Sequence, residues 1–230
     1  DALATAQQMA AKASEAMNAI KERPGTGDSL AKEQALCHLV LGKLAEKRGE
    51  NRQAWQEYKT ANEILDAVEV EDAGLDVNPL RADAWHRIAV VCMAIGEFAE
   101  ATKAADKELV ITQEQLRKNP TDALVKYDVA AALNTAGNAW TYAGRARKDK
   151  DAFGRARAYL TKGLALAHEL ENQDPWDVDY LRVRSLLQMN LANLHFYQDQ
   201  KVDAERQYRA ASDGFRKLKA GNIESIELTA

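Results

Sequence analysis

The stretch WHRIAVVCMAIGEFAEATKAADKE, from Trp85 to Glu108, decides how this chain folds. Its apolar positions recur every three or four residues on either side of Gly96-Glu97, so it reads as two amphipathic helices joined by a tight turn. Ala89 sits midway along the first helix, and Ala101, Ala105 and Glu108 follow at intervals of 12, 4 and 3 residues. Small residues at such places let the second helix approach the first. A helix pair of this kind cannot bury its own apolar face, but stacked pairs can.

The same spacing recurs on both sides. Gly42, Ala54, Tyr58 and Ala61 keep the intervals 12, 4 and 3, and so do Ala192, Ala204, Tyr208 and Ala211. Gly137, Ala156, Leu160 and Gly163 differ only in a first interval of 19, which adds Arg145 to Asp151 at the turn as a basic, solvated extension of the helices or their loop. In these three sets Tyr58, Tyr208 and Leu160 are placed to fill the space that the small residues open. Turn signals separate about nine helices, and short links imply antiparallel neighbours. Asn119-Pro120 and Asp174-Pro175 read as a capping residue followed by proline at the first helical position.

Trp85, Ile88, Ala89, Gly96, Phe98 and Ala101, with Leu41, Gly42, Gly49, Ala54, Tyr58 and Ala61, resemble the signature of the tetratricopeptide repeat. The resemblance implies an all-α, right-handed superhelical solenoid of antiparallel helix hairpins. Successive repeats are offset by 47, 48 and 55 residues, against about 34 in the standard unit, so the helices are expected to be long. We divide the chain into an N-terminal helix at 1–24, acting as cap or end of a preceding repeat, an array of about four repeats at 30–218, and a tail at 219–230. The joint Glu169-Leu170 to Pro175-Trp176-Asp177 resembles elongated repeats appended to bacterial Ser/Thr protein kinases and those of kinesin-light-chain-type adaptors.

Composition agrees with helix. Apolar residues make up 46% of 230, with only four prolines and twelve glycines, too few for the turns of an all-β chain. No apolar run approaches the ~20 residues that span a bilayer. A formal charge of −4 with mixed charge runs argues against a nucleic-acid partner. Asp1 to Ile20 lacks the basic start and apolar centre of a signal peptide. The chain starts at Asp1 and reads as part of a longer protein. Cys37 and Cys92 lack disulfide or zinc spacing and read as small core residues, which leaves the compartment open between cytoplasm and periplasm.

Chemistry is sparse. His38, His86, His168 and His195 form no metal-ligand pattern, and no nucleophile elbow, P-loop or dinucleotide fingerprint is present. We therefore expect no catalytic residue, no metal and no cofactor, and not an enzyme. Trp85 and Trp140 read as bulky packing between hairpins, and Trp176 as a staple at a helix start. The more telling set is polar. Asn134 and Asn138 are one turn apart, and Asn190 and Asn193 hold matching places in the next repeat, with Tyr142 and Tyr197 one turn beyond. An asparagine amide offers a donor and an acceptor, as a peptide group does. In peptide-binding members of the resembled family, such asparagines on the first helices bond a bound peptide's backbone on the concave face. The competing reading is that these amides bond neighbouring helices.

The expected function is a protein- or peptide-binding module, the interaction or sensor part of a larger bacterial signalling protein such as a Ser/Thr kinase. The alternative is a structural assembly domain that self-associates or packs within its own chain. Oligomerisation is left open.

Overall fold

In the computed structural model the described residues are 27–68 and 76–227, with Lys12 and Glu15; side chains are described for 30–68 and 76–220. The expected N-terminal helix at 1–24 lies outside them apart from Lys12 and Glu15, both helical. Eight long helices follow: α1 (Gly27–Lys47), α2 (Asn51–Asp66), α3 (Asn78–Ile95), α4 (Phe98–Lys118), α5 (Ala123–Arg147), α6 (Lys150–Gln173), α7 (Val178–Tyr197) and α8 (Lys201–Glu227). No strand occurs among the described residues. The helix α8 runs on through 219–227, the stretch set apart above as a tail. The long first interval of the Gly137 set goes into helix: α5 and α6 reach 25 and 24 residues.

The chain forms two compact units, 1–111 and 112–230. In the first, α1 packs on α2, α2 on α3, and α1 touches α3. In the second, α5 packs on α6, α6 on α7 and α7 on α8, and α5 also touches α7. Within each unit these helices pack in chain order, while first helices of adjacent hairpins meet. That is the packing of a helical-repeat fold, where each hairpin's apolar face is closed by the next.

The small residues of the pattern do what their spacing requires. A Cβ on Gly42 would fall 2.6 Å from Tyr58 Cδ1, and one on Gly137 would fall 2.6 Å from Leu160 Cδ2. Tyr58 and Leu160 are fully buried there. Ala54, Ala61, Ala89, Ala101, Ala105, Ala156 and Ala192 have no exposed surface. In the second unit Leu160, Leu187, Leu194 and Val183 form one core with Phe153, and Trp140 packs partly buried against it. Cys92 is fully buried, and burial pushes its thiol up to about 12, whereas Cys37 is only half-buried.

Two turns need glycine for backbone reasons. Gly49 and Gly96 have φ of 76° and 84°, with open space where a Cβ would go; the left-handed conformation, not crowding, selects glycine. Helix starts differ from the sequence expectation. Asp122 and Asp177, not Asn119 and Asp174, are the caps, so Pro120 and Pro175 lie in the preceding turns. Asp122, Asp149 and Asp177 each accept two backbone N–H bonds, at 2.8 and 3.2 Å, in the first turn of α5, α6 and α7. A carboxylate there also meets the positive end of the helix dipole. Trp176 is 91% exposed and staples nothing.

Candidate functional site

The second unit brings the polar set together. Because α5 and α7 lie against each other, residues at matching places in two repeats become neighbours. Asn190 is buried on α7 and donates its Nδ2 to Asn134 Oδ1 on α5, 2.9 Å away. Asn193 donates to Asn190 Oδ1 at 3.5 Å, and Tyr208 of α8 donates its hydroxyl to Asn193 Oδ1 at 2.6 Å. The row has one direction, Tyr208 to Asn193 to Asn190 to Asn134. Each amide oxygen in it accepts, and Asn134 Nδ2 is the one amide nitrogen of the row that donates to no other member of it. A buried amide hydrogen bond of this sort contributes about 1 kcal/mol net, and leaving one half of it unpaired costs more.

Asn138, one turn further along α5, stands outside the row. It is half-buried, its Oδ1 is enclosed, and that oxygen meets no donor. Beyond it Tyr142 and Tyr197 face each other with ring centroids 6.3 Å apart and planes tilted by 52°. Arg145 lies with its guanidinium 4.6 Å from the Tyr197 centroid and donates to the Tyr197 hydroxyl at 3.1 Å. The exposed Phe196 packs edge-on to the same ring at 5.8 Å. The face therefore runs from amides to aromatics to a cation over about three turns of α5, Asn134 to Arg145.

Two members of this site were not singled out by sequence. Tyr208 was read only as a space-filling aromatic of the repeat; its hydroxyl is what ties α8 into the row. Arg145 was grouped with the solvated basic turn, yet it caps the tyrosine pair. Its position one turn after Tyr142 was the available signal. Arg184 forms an ion pair with Glu171 across α6 and α7.

The first unit's corresponding face is ionic. Arg87 of α3 bonds Asp83 at 3.0 Å and Glu46 of α1 at 3.4 Å, Lys43 bonds Asp83 at 3.1 Å, and Tyr58 donates to Glu46. Burial, then the hydrogen bond and charge of Glu46, hold the Tyr58 hydroxyl far above the usual tyrosine range. His38 pairs with Glu57 at 2.8 Å, and His86 with the buried Glu108 at 3.2 Å. Among the described residues no group of His, Cys, Asp and Glu is arranged to hold a metal ion, and no helix is long and apolar enough to cross a membrane.

No protein-family profile matches the chain, and no curated protein sequence does. Among solved structures it is similar to BtubC (BKLC) from P. vanneervenii, with 16% identity over 93% of this chain and 92% of that one and a TM-score of 0.49. It is also similar to a MamA RS-1 ArsTM double mutant, with 15% identity over 80% of this chain and 96% of that one and a TM-score of 0.28.

Proposed function

We propose that this chain is a protein-binding repeat module that takes an extended peptide segment along the shared face of α5 and α7. One observation carries the reading. The amide row stops at Asn134 with N–H groups unused, and one turn on, Asn138 has an amide oxygen tied to no protein group. Asn190 and Asn193 hold α5, α7 and α8 in register, Asn134 presents its unused N–H groups to the ligand, and the half-buried Asn138 turns its enclosed amide outward to meet it. An extended peptide has donors and acceptors of the same kind, and amide pairing gives affinity without sequence demands. Tyr142 and Tyr197 form the apolar wall for a side chain, and Arg145 favours an acidic one. No covalent step is involved. The finer placement, as interaction or sensor part of a bacterial signalling protein such as a Ser/Thr kinase, rests on the joint from Glu169 to Asp177 alone.

A display library of short unstructured peptides, selected against the whole chain, tests the reading. Enriched peptides should lose binding at least about tenfold to Asn138→Ala, with melting unchanged. Selection that yields nothing, or peptides indifferent to Asn138→Ala, would return the module to the assembly reading.

A further inference from the structure

We infer that a second, separate groove in the first unit, formed by α2, α3 and α4, docks an acidic peptide segment carrying a bulky apolar side chain. Its floor is Trp55 of α2 with Trp85 and Ile88 of α3, and its rim is Lys59, Lys103 and Lys107. The hollow measures about 480 Å³, inside the range of about 300–1,000 Å³ that holds small ligands or a few side chains.

Three features point to the occupant's chemistry. The two indoles come from different helices and are only half-buried, so both keep surface toward one hollow. Tryptophan in such a place is the residue type that dominates interface energetics. Lys107 is the second feature. Its ammonium sits 4.0 Å from the Trp85 ring centroid, and among the described residues no carboxylate lies within ion-pair reach of it. Trp85 thus positions a cation that has no counter-ion among the described residues, and an arriving carboxylate gains a charge-assisted bond there. The third feature is the local charge. Three lysines face one lining carboxylate, Glu100, which is held by Lys103 at 2.7 Å. This positive excess lies on a chain of formal charge −4, so it is a local feature and not a reflection of the whole. A carboxylate at Lys107 brings the neighbouring apolar side chain down onto the Trp55 and Trp85 rings.

The spacing along the helices accounts for the arrangement. Trp55 and Lys59 are one turn apart on α2, and Lys103 and Lys107 one turn apart on α4, so each helix turns one stripe toward the hollow. The groove shares no residue with the asparagine row, and the two readings stand or fall separately.

The chain's four tryptophans make the test direct, since Trp140 and Trp176 lie in the other unit. The probe is a blocked peptide, acetyl-Glu-Glu-Leu-Phe-Glu-Asp-amide, titrated into the 15N-labelled whole chain while the four indole N–H signals are followed. The signals of Trp55 and Trp85 should move and those of Trp140 and Trp176 stay. Lys107→Glu should weaken binding about tenfold or more with the helical signal unchanged. The glutamine version of the peptide should bind as weakly as that variant sees the acidic one, and added salt should reduce affinity. The inference is overturned if Trp55 and Trp85 do not move at millimolar peptide, if Lys107→Glu or the glutamine peptide binds equally well, or if single-stranded oligonucleotide shifts the same signals at lower concentration.

Discussion

Replacing Gly137 by alanine tests whether close helix approach, and not helix propensity, sets the pattern of small residues. In an open helix the change should stabilise, because alanine is the better helix former by about 1 kcal/mol. Here a Cβ would sit 2.6 Å from Leu160 Cδ2 and 3.4 Å from the Ala156 carbonyl oxygen. Carbon atoms rest about 3.5–4.0 Å apart, so one helix must retreat by roughly 1 Å or Leu160 must leave its rotamer. Leu160 is fully buried and has nowhere to go. Overpacking of this kind costs about 1–3 kcal/mol, and the propensity gain offsets only part, so Gly137→Ala should destabilise by roughly 1–2 kcal/mol. Gly154, on α6 in the same unit, is the control. It is exposed with nothing within 4 Å of its would-be Cβ, and Gly154→Ala should stabilise by about 0.5–1 kcal/mol. Urea titrations followed by far-UV circular dichroism compare the two. In a Leu160→Ala background, itself about 2–5 kcal/mol weaker, Gly137→Ala should turn neutral or stabilising. If it stabilises the unaltered chain as much as Gly154→Ala does, the close-approach argument is wrong.

Burial acts to lower the His86 pKa, but the hydrogen bond and charge of Glu108, with the charge of Asp83, outweigh burial and raise it above 6.5, Arg87 opposing. A raised folded pKa means that the stabilisation is complete below the unfolded value and is lost as pH rises through the folded one. The stability difference between the chain and its His86→Gln variant should therefore be larger near pH 6 than near pH 8.5; a difference that does not change, measured by urea midpoints at both, would contradict it. At the joint before α7, Asp177→Ala should cost about 1 kcal/mol and Pro175→Ala less than about 0.5 kcal/mol, by the same titration. The reverse order would reinstate Asp174 as the cap.

The helical class, the hairpin turns and the pairing of small with large residues were legible because they depend on local periodicity. Apolar spacing near 3.6 residues gives the helices, and Gly49 and Gly96 mark turns whose φ is positive. The interval between Gly42 and Tyr58 encodes a contact because both lie in one hairpin with a short link. Helix starts were misplaced by three residues at α5 and α7, since a capping residue before a proline (Asn119, Asp174) and an aspartate after it (Asp122, Asp177) look alike until the backbone is seen. The asparagines stood out by type and register, but whether an amide faces a helix or a ligand is a matter of side-chain partners. Those partners come from α5, α7 and α8, as many as 56 residues apart in the case of Asn134 and Asn190. The same holds for the Trp85–Lys107 pair, which needs two helices folded together before a ring can hold a cation. By itself the sequence determined which segments are helices and which positions must be small, because those follow from chain-local geometry. Only tertiary structure decided which polar groups satisfy one another and which are left for a partner, because hydrogen bonding is settled by atoms that the chain brings together from a distance.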